Sequence, residues 1–426
     1  MFSWYRDETP RTKRVFWTCS VAWGLDSMDA LVYQYLIPVL VAALGLTLAQ
    51  AGTVASANYF ASALGGWLAG WLCDRYGRAR ILRLTILWFS FFAFLSGFTH
   101  SYEQLLLVRT LQGLGFGGEW AVGAVLLGEM VAPAHRARAV GTVHSAAALG
   151  SGLAALLAGP LVAWLPPEYG WRIVFWVGLL PAVLIFFVRR NADDSAIYKR
   201  TQQRIAAARG APLRGGIFSP ALLGTTLAAS LLAVGAQGAG FVVSNYLTTF
   251  LQHERGLSAS ASGLYVLVNS AGGFCGFLVN AYTSDRIGRR RIFRLFGFGF
   301  ICAVVVYLYA PLGGDRVWML LPAGFVYGFF QFGIYASFGP YFTELFPTEV
   351  RGTGQAFAYN VGRAASGIFI HTAAVLAAAM PLGIAMLLTA VAGIACAVIA
   401  TFLLPETAGR ELTSLTPSTE ERCHGT

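Results

Sequence analysis

Long runs without a charged residue dominate the pattern of this chain. Residues 30–73, 216–251 and 364–405 contain no Asp, Glu, Lys or Arg. A charged residue at the centre of a membrane helix costs about 2.5–3.5 kcal/mol on insertion scales, so such runs mark segments that cross a bilayer. Because one crossing takes about 20 residues, a chain of 426 residues has room for about twelve.

Glycine, proline and polar clusters divide the apolar runs into twelve predicted membrane-spanning helices. The first six lie near residues 15–41, 51–72, 81–99, 103–128, 139–163 and 171–189. The other six lie near residues 219–250, 260–283, 293–310, 317–343, 353–379 and 381–404. The predicted fold class is therefore an all-α integral membrane protein with twelve transmembrane helices.

Two short motifs occur twice at one offset, which indicates an internal duplication. The run 45–47 (Gly-Leu-Thr) reappears as 256–258 (Gly-Leu-Ser), and the run 74–78 (Asp-Arg-Tyr-Gly-Arg) as 285–289, both 211 residues later. The chain is thus predicted to form two pseudo-symmetric six-helix halves. Halves of this kind, with substrate held between them near the membrane midplane, are a transporter architecture. A structural duplication without transport is the alternative.

The duplication divides the chain into four predicted segments. Residues 1–188 form an N-terminal half, residues 189–218 a cytoplasmic linker, residues 219–404 a C-terminal half and residues 405–426 a tail. With the N-terminus inside, 25 of the 30 lysine and arginine residues fall on the cytoplasmic side. The positive-inside rule therefore predicts a multi-pass inner-membrane protein with both termini cytoplasmic.

Composition agrees with a membrane protein and removes other classes. The chain is 56% hydrophobic and 12% charged, with a mean hydropathy of +0.61, whereas a soluble domain carries about 25% charged residues. Basic loops account for the net charge of +10, so we expect no nucleic-acid partner. The six cysteines form no close pair, so neither a disulfide nor a metal site is predicted, and we expect no cofactor. The glycine-rich run 113–118 predicts helix packing, not nucleotide binding.

Several stretches resemble the major facilitator superfamily. Residues 70–80, Gly-Trp-Leu-Cys-Asp-Arg-Tyr-Gly-Arg-Ala-Arg, look like its loop signature, which recurs at 285–289. Residues 109–120 resemble helix 4 of its metabolite, sialate and organic-acid proton symporter groups, as do residues 346–354 ahead of 359–363. The resemblance spans the whole chain and implies inward transport of a small organic acid with protons across a lipid bilayer. We expect a monomer.

Charged residues around the loop signature are predicted to act in gating. Each half has an aspartate that can cap helix ends and pair with nearby arginines, and a glutamate–arginine pair seven residues apart. The candidates are Asp74, Arg75, Arg78, Glu129, Arg136, Asp285, Arg286, Arg289, Glu344 and Arg351. These residues would hold the cytoplasmic side closed. The alternative is that the arginines only fix the topology of the chain.

Ionisable residues inside the predicted helices mark candidate proton sites, because buried charge is costly and faces a partner or a water-filled path. Asp26 and Asp29 share a helix face with Tyr33 and resemble the Asp-Gly-x-Asp motif of aromatic-acid proton symporters, with serine in place of the glycine. Two close carboxylates in a low dielectric favour proton uptake. We predict that Asp29, assisted by Asp26, carries the coupled proton, with Glu119 the next candidate. The alternatives are an ion pair between Asp26 and Arg109 and a structural bond from Glu119.

Arg363 is the predicted site for a substrate carboxylate. It lies near the middle of helix 11, at a depth similar to that of Asp29 in the opposite half, and guanidinium groups bind carboxylates bidentately. Other residues on predicted cavity helices complete the candidate binding set: Tyr33, Gln34, Arg109, Asn245, Tyr246, Gln331, Tyr335, Asn360 and His371. Amide and aromatic residues also pack helix pairs, so these candidates have a structural alternative.

Three classes of function remain. Proton-coupled import of an organic acid accounts for Arg363, the acidic pair and the resemblance together. A drug or metabolite antiporter that exports is the alternative transporter, although helix 5 lacks the Gly-Pro-x-x-Gly-Gly run typical of that class near Gly150. A membrane receptor or enzyme would need a soluble domain, a metal cluster or a nucleophile with its base. The sequence offers none of these, and no catalytic residue is predicted.

Overall fold

The computed structural model describes residues 3–157, 162–166, 168–180, 197–198, 200, 203, 216–257, 259–309 and 318–412. Every regular element in these residues is an α-helix or a short 3-10 helix. Most of the predicted linker 189–218 and the end of the tail after residue 412 lie outside the described residues, so the boundaries of both segments stay predictions.

The N-terminal half contains the first six long elements. They are α1 (Pro10–Leu44), α2 (Leu48–Tyr76), α3 (Arg78–Ser96), α4 (Tyr102–Met130), α5 (Arg136–Leu156) and α6 (Gly170–Val177). The short elements of this half are Ser3–Asp7 before α1, the 3-10 turn Pro133–His135 before α5, and Val162–Trp164 before α6.

The C-terminal half repeats the arrangement. Its described helices are α7 (Leu223–His253), α8 (Ala259–Ile287), α9 (Arg289–Tyr309), α10, α11 (Arg351–Ala377) and α12 (Leu382–Leu403). The helix α10 consists of Leu320–Gly333 and Phe338–Leu345, joined by the 3-10 segment Ile334–Ser337. A 3-10 turn, Gly216–Phe218, precedes α7.

Most helix boundaries lie within a few residues of those predicted from the sequence. The helix α1 begins earlier, because Thr9 caps it: the Thr9 Oγ1 accepts the N–H of Thr12 at 3.1 Å, and Pro10 suits a first turn. The helix predicted over 317–343 is instead interrupted by a 3-10 segment. Pro340 accounts for this difference, because it has no N–H to donate to the preceding turn. The helix predicted over 171–189 is described only as far as residue 180.

The helices of the two halves pack in the same pattern. In the N-terminal half α1 packs on α5 and α2 on α4, and in the C-terminal half α7 packs on α11 and α8 on α10. Between the halves, α2 packs on α11 and α5 packs on α8. These two contacts are equivalent under the duplication, so the halves face each other with pseudo-twofold symmetry.

The internal repeat is also visible in the backbone. Gly45 and Gly256, which are 211 residues apart, have φ angles of 63° and 68°. Gly77 and Gly288, at the same offset, have φ angles of 103° and 104°. Other residues are strained at such positive φ, so both copies of each turn need glycine. The two halves therefore turn at equivalent points.

Glycine allows α2 and α4 to approach closely. A Cβ atom on Gly117 of α4 would clash with the backbone carbonyl of Ser62, and one on Gly65 of α2 would clash with that of Leu114. The helix packing predicted for the run 113–118 is confirmed at this contact. The contact also fixes α4, which carries several ionisable residues of the candidate site.

Five helices in the described part of the chain are long and apolar enough to cross a membrane on length and hydropathy alone. They are Arg78–Ser96, Leu223–Leu247, Ala261–Ile287, Arg289–Tyr309 and Leu382–Leu403. The remaining helices are shorter or carry more polar and ionisable residues. Such residues inside a membrane protein face other helices or a cavity, so we expect them where the two halves meet.

The two ends of the bundle differ. The α2–α3 and α8–α9 turns, at residues 76–78 and 287–289, lie at one end, which we call the signature end. The α1–α2 and α7–α8 turns lie at the opposite end. At the signature end, the indole N–H of the buried Trp4 donates to the hydroxyl of Tyr282 at 3.0 Å. The short helix Ser3–Asp7, which precedes α1, thereby contacts the C-terminal half.

Candidate functional site

A buried ion-pair cluster joins the halves at the signature end. Glu129, at the end of α4, accepts hydrogen bonds from Arg78 at 3.4 Å and from Arg351 of the other half at 2.7 Å. Arg78 also pairs with Asp74 at 3.0 Å. Three of these side chains are fully buried and that of Asp74 is 9% exposed, so two negative and two positive charges balance one another away from water.

The second half contains the matching cluster. Glu344 pairs with Arg289 of its own half at 2.8 Å and with Arg136 of the other half at 3.0 Å. Arg289 pairs with Asp285 at 2.9 Å. Each glutamate therefore bridges one arginine from each half, and the two clusters obey the pseudo-symmetry of the fold.

The two aspartates also cap helices of the opposite half. The Asp74 carboxylate accepts the backbone N–H of Gly352 at 3.0 Å and of Thr353 at 2.7 Å, at the start of α11. Asp285 accepts the N–H groups of residues 137 and 138, at the start of α5, both at 3.2 Å. A carboxylate is favourable at a helix N-terminus, so these contacts add to the closure of the signature end.

Eight of the ten predicted gating residues lie in these clusters, and two do not. The exposed Arg75 lies over the ring of Trp71, with 5.6 Å between its guanidinium carbon and the ring centroid. Arg286, at the equivalent position of the second half, is also exposed.

The chain after α12 supports the second cluster. The Thr407 hydroxyl donates to Glu344 at 2.7 Å, and the Glu406 carboxylate accepts the backbone N–H of Arg289 at 2.8 Å and of Arg290 at 3.1 Å. Burial alone would raise the pKa of Glu406. The backbone N–H donors outweigh burial and hold the pKa of this carboxyl below its usual value.

A second ion pair lies deep in the N-terminal half. The Asp29 carboxylate accepts a hydrogen bond from Arg109 at 3.1 Å and another from the amide of Gln112. The guanidinium of Arg109 lies over the ring of Tyr33, 4.8 Å from its centroid. Asp29 therefore already has a cation partner, and Arg109 pairs with Asp29 instead of Asp26.

Asp26 and Glu119 have no such partner in the described part of the chain. Asp26 is 0% exposed, and neither of its carboxylate oxygens is hydrogen-bonded there. Glu119 is 1% exposed, and its Oε2 atom is also without a hydrogen bond to the described residues. Glu119 lines a small cavity with Trp120 and other side chains of α1, α4 and α5.

Arg363 lies between the halves at the middle of α11. Its Nη1 atom donates to the hydroxyl of Ser62, at the middle of α2, at 2.7 Å. Its guanidinium carbon is 4.9 Å from the ring centroid of Phe116 and 5.3 Å from that of Tyr359. An arginine held against two aromatic rings keeps a fixed orientation.

Most other predicted binding residues hold neighbouring helices together. The Gln331 amide donates to the carbonyl of Gly240 at 3.0 Å, joining α10 to α7, and the Tyr246 hydroxyl donates to the carbonyl of Ile370 at 3.1 Å, joining α7 to α11. A Cβ atom added to Gly240 would also clash with the hydroxyl of Tyr335. These contacts agree with the structural alternative, while a role of the three residues in binding stays a prediction.

Four further candidates differ in exposure. Asn360 is fully buried and packs against Gly66 of α2, and its side-chain amide donates to the carbonyl of Ala356 in its own helix, α11, at 2.9 Å. Gln34 is exposed and donates to the Tyr59 hydroxyl. Asn245 and His371 are also exposed.

Sequence reasoning missed the aromatic residues around Arg363. Phe116 and Trp120 are four residues apart on α4, as are Tyr359 and Arg363 on α11, so each pair lies on one helix face. Trp120 and Tyr359 stack across the halves, with ring centroids 3.7 Å apart. The four-residue spacing was available as a signal. Ser62 gave none, because a serine within a membrane helix is not distinctive and the same helix also contains Ser56.

These features define a class of protein. Two six-helix halves, ion pairs that join them at one end and ionisable residues buried midway are the architecture of a secondary transporter in a membrane. A family model for the Major Facilitator Superfamily matches residues 20–371. The chain belongs to this family of multi-pass membrane transporters and is not an enzyme.

Comparison with known proteins agrees with the family assignment. The chain is 42% identical to a probable 4-methylmuconolactone transporter of Cupriavidus pinatubonensis, over 96% of this chain and 94% of the relative. It is 28% identical to a cis,cis-muconate transport protein of Acinetobacter baylyi, over 90% and 92% of the two chains. The structure of the proton:xylose symporter XylE superposes with a TM-score of 0.81 at 17% identity, covering 94% of this chain and 97% of XylE. The last comparison shows a shared fold.

Proposed function

We propose that the protein imports a small organic acid together with protons, and that Arg363 binds the substrate carboxylate. The position and exposure of Arg363 carry this proposal. Arg363 lies between the halves and is 9% exposed, whereas Asp26, Arg109 and Glu119 are each at most 2% exposed. A guanidinium has five N–H donors, and within the described part of the chain Arg363 donates one hydrogen bond, from Nη1 to the hydroxyl of Ser62. Donors therefore remain for a carboxylate.

Alternating access would follow from the two ion-pair clusters. Basic residues concentrate at the signature end, so we assign that end to the cytoplasm. The cross-half hydrogen bonds described above lie at the signature end or at the middle of the helices. In this conformation the Arg363 site is closed towards the cytoplasm. Import would require the clusters to separate while the opposite ends of the halves approach each other.

Proton coupling is proposed to use the buried carboxyl groups beside Arg363. Because Asp29 is already paired with Arg109, we assign the coupled proton to Asp26 and Glu119 instead of Asp29. Bound substrate would neutralise Arg363, whose charge acts on Asp26, and would thereby favour the protonated form of the acid pair. Linkage is reciprocal, so the proton would also favour substrate binding.

The names of relatives support an organic acid as the substrate. The two transport proteins compared above are described as carrying 4-methylmuconolactone and cis,cis-muconate. A 4-hydroxybenzoate transporter of Pseudomonas aeruginosa is 25% identical over 83% of this chain. Recognition of such acids by the basic Arg363 fits these names better than export of a cationic drug would.

Variants of Arg363 test the proposal. We expect Arg363→Ala to lower equilibrium binding of 4-methylmuconolactone and cis,cis-muconate at least about tenfold, since a charge-assisted bidentate pair is lost. Arg363→Lys should restore little, because a lysine offers no planar pair of donors. The exposed Arg291 supplies the control variant Arg291→Ala. Unchanged affinity for both acids in folded Arg363→Ala protein would refute the assignment.

A further inference from the structure

The small cavity beside Glu119 is lined by two buried residues with a polar atom that has no hydrogen bond to the described residues. These atoms are Oε2 of Glu119 on α4 and Nδ1 of His144 on α5, and the two residues are 1% and 3% exposed. The cavity volume of about 10 Å³ gives room for about one water molecule. A buried water bonds two to four polar groups, so the cavity suits one water that bridges Glu119 to His144.

His144 lies nearer the signature end than Glu119 does. Glu119 is 11 residues from the end of α4 at Met130, and His144 is 8 residues from the start of α5 at Arg136. At 1.5 Å per residue, these positions lie about 16 Å and 12 Å from the signature ends of their helices. The cavity therefore leads from Glu119 towards the end that we assign to the cytoplasm.

Few other groups near this cavity can exchange a proton. In the described part of the chain, the other titratable residue that lines it is Cys19, and the 3-10 segment packed on α5 adds Tyr335. A thiol and a phenol keep their protons near neutral pH, whereas carboxyl and imidazole groups exchange theirs. Glu119 and His144 are therefore the pair that can pass a proton along the cavity.

Three aromatic rings pack against the imidazole of His144, and one of them belongs to the other half. The His144 ring centroid lies 5.4 Å from that of Trp23, 5.2 Å from that of Trp120 and 5.1 Å from that of Phe277 on α8. An imidazolium buried without a counter-charge is costly, so this packing disfavours proton transfer to His144. Because α5 packs on α8, separation of the halves would remove Phe277 and open the imidazole to water.

We propose that His144 is a relay that carries the coupled proton from Glu119 to the cytoplasm, and that Phe277 gates this exit. The inference rests on the proposed role of Glu119 as a proton site. The carboxyl of Glu119 gives its proton to the bridging water, and the water gives a proton to Nδ1 of His144, which accepts it when Nε2 carries the ring hydrogen. The imidazolium then releases a proton to cytoplasmic water, which restores the neutral ring.

Substitution of His144 should slow proton-driven uptake and leave exchange intact. In proteoliposomes of the full-length protein, we expect His144→Gln to lower the initial rate of cis,cis-muconate uptake driven by a pH gradient at least about tenfold, because a glutamine bonds the water but carries no proton. Exchange of internal for external substrate should stay within about twofold of wild type, since it needs no net proton movement. The exposed His100, between α3 and α4, supplies the control His100→Gln.

Chemical rescue separates proton transfer from packing. His144→Ala leaves a space that free imidazole can fill, and imidazole carries a proton, whereas pyrrole has a ring of the same size without a basic nitrogen. Each compound is present at equal concentration on both sides of the membrane, and wild type reports any effect on the pH gradient. Imidazole should raise the uptake rate of His144→Ala at least about threefold, and pyrrole should not.

The gate is tested without substrate. Phe277→Ala should speed the acidification of the vesicle interior after the exterior is made acidic, read by a pH-sensitive dye, because water then reaches His144 while the signature end is closed. The double variant Phe277→Ala with His144→Gln should leak no faster than wild type. Phe298→Ala, at a position that is 72% exposed on α9, is the matched control.

The outcomes distinguish this inference from the proposed function. Unchanged proton-driven uptake in His144→Gln, equal loss of uptake and exchange, or equal rescue by pyrrole would overturn the relay and leave Glu119 as a proton site. A leak that is absent from Phe277→Ala, or that persists in the double variant, would overturn the gate. Wild-type accumulation by both Asp26→Asn and Glu119→Gln would overturn the proposed proton site itself.

Discussion

Asp26 and Asp29 lie one turn apart on α1 and have different surroundings. Asp29 is paired with Arg109 and receives a hydrogen bond from Gln112, while Asp26 is buried without a hydrogen-bonded partner in the described residues. The sequence placed both on one helix face. It could not decide which of them meets Arg109, because the rotation of α1 against α4 sets that contact. Because their surroundings differ, we make a separate prediction for each aspartate.

Removing the proton site should uncouple transport without stopping it. We expect Asp26→Asn and Glu119→Gln to lose uptake driven by a pH gradient and to retain exchange of internal for external substrate, because exchange needs no net proton movement. Both reactions are measured in proteoliposomes. The exposed Glu168 supplies the control Glu168→Gln, which should leave both reactions unchanged. Normal accumulation by both carboxyl variants would mean that the proton site lies elsewhere in the protein.

Asp29 should matter for stability more than Asp26 does. Asp29→Asn leaves the buried Arg109 without its counter-charge, which costs about 3–5 kcal/mol. Asp26→Asn is the matched control, one turn away and outside any ion pair. We expect a lower melting temperature for Asp29→Asn, partly restored by adding Arg109→Gln, and little change for Asp26→Asn. Equal melting temperatures for the two single variants would contradict this account.

Sequence reasoning identified the ionisable residues of the site better than their neighbours. Arg363 stands out because a charge in an apolar helix needs a reason, and its depth follows from its position in the helix. Phe116 and Tyr359 do not stand out, since aromatic residues are frequent throughout the chain, at 14% of all residues. Their role as flanking rings depends on how α4 and α11 approach, which only tertiary packing defines.

Short segments outside the long helices bind to the helices at the signature end and stabilise that end. The segment after α12 presents Glu406 to the backbone N–H groups of Arg289 and Arg290, and Trp4 reaches Tyr282 from the N-terminal helix. The sequence predicted neither contact. A helix of five residues has no stability of its own, so its formation depends on tertiary contacts that the local pattern does not contain.

The docking of Glu406 should give stability a pH dependence. Its pKa is lowered in the folded protein, so the contribution is present above the ordinary value near 4.5 and is lost as the pH falls through the lowered value. Glu406→Gln should lower the melting temperature at pH 7, and the difference from wild type should shrink towards pH 4. Glu411→Gln, at an exposed position, is the control. A difference that does not depend on pH would contradict the prediction.

Long helices were predictable because each apolar run is bounded by charge or glycine. The same reasoning placed a single helix over 317–343, where the structure has a 3-10 segment before Pro340. A proline inside a membrane helix is tolerated when neighbouring helices accommodate it, so its presence does not predict a break. Helix existence therefore followed from the sequence, and helix regularity did not.

The whole molecule consists of two halves joined by charge at one end. Two pseudo-symmetric clusters, centred on Glu129 and Glu344, each take one arginine from each half. The duplication predicted that equivalent charged residues occur in both halves. It did not predict the exchange of arginines between halves, because residues over 200 positions apart meet only where α11 packs on α4 and α10 packs on α5.

Weakening the clusters should open the signature end. Asp74→Asn and Asp285→Asn each weaken an ion pair and a helix cap, so we expect a shift towards the conformation open at that end. A cysteine at Val140, which lines the cavity beside Glu119, reports the change by its labelling rate, in a background without the six native cysteines. Arg75→Gln, outside the clusters, is the control. Unchanged labelling in both aspartate variants would contradict a gating role for these clusters and favour the alternative that their charged residues only fix the topology of the chain.

Proton-driven accumulation tests the central claim most directly. Proteoliposomes that contain the full-length protein are given labelled 4-methylmuconolactone or cis,cis-muconate, with the outside more acidic than the inside and then with a protonophore present. The account predicts accumulation against the substrate gradient in the first condition, its loss with the protonophore, and its absence in Arg363→Ala. Accumulation that persists with the protonophore, or that requires a more acidic interior, would contradict proton-coupled import.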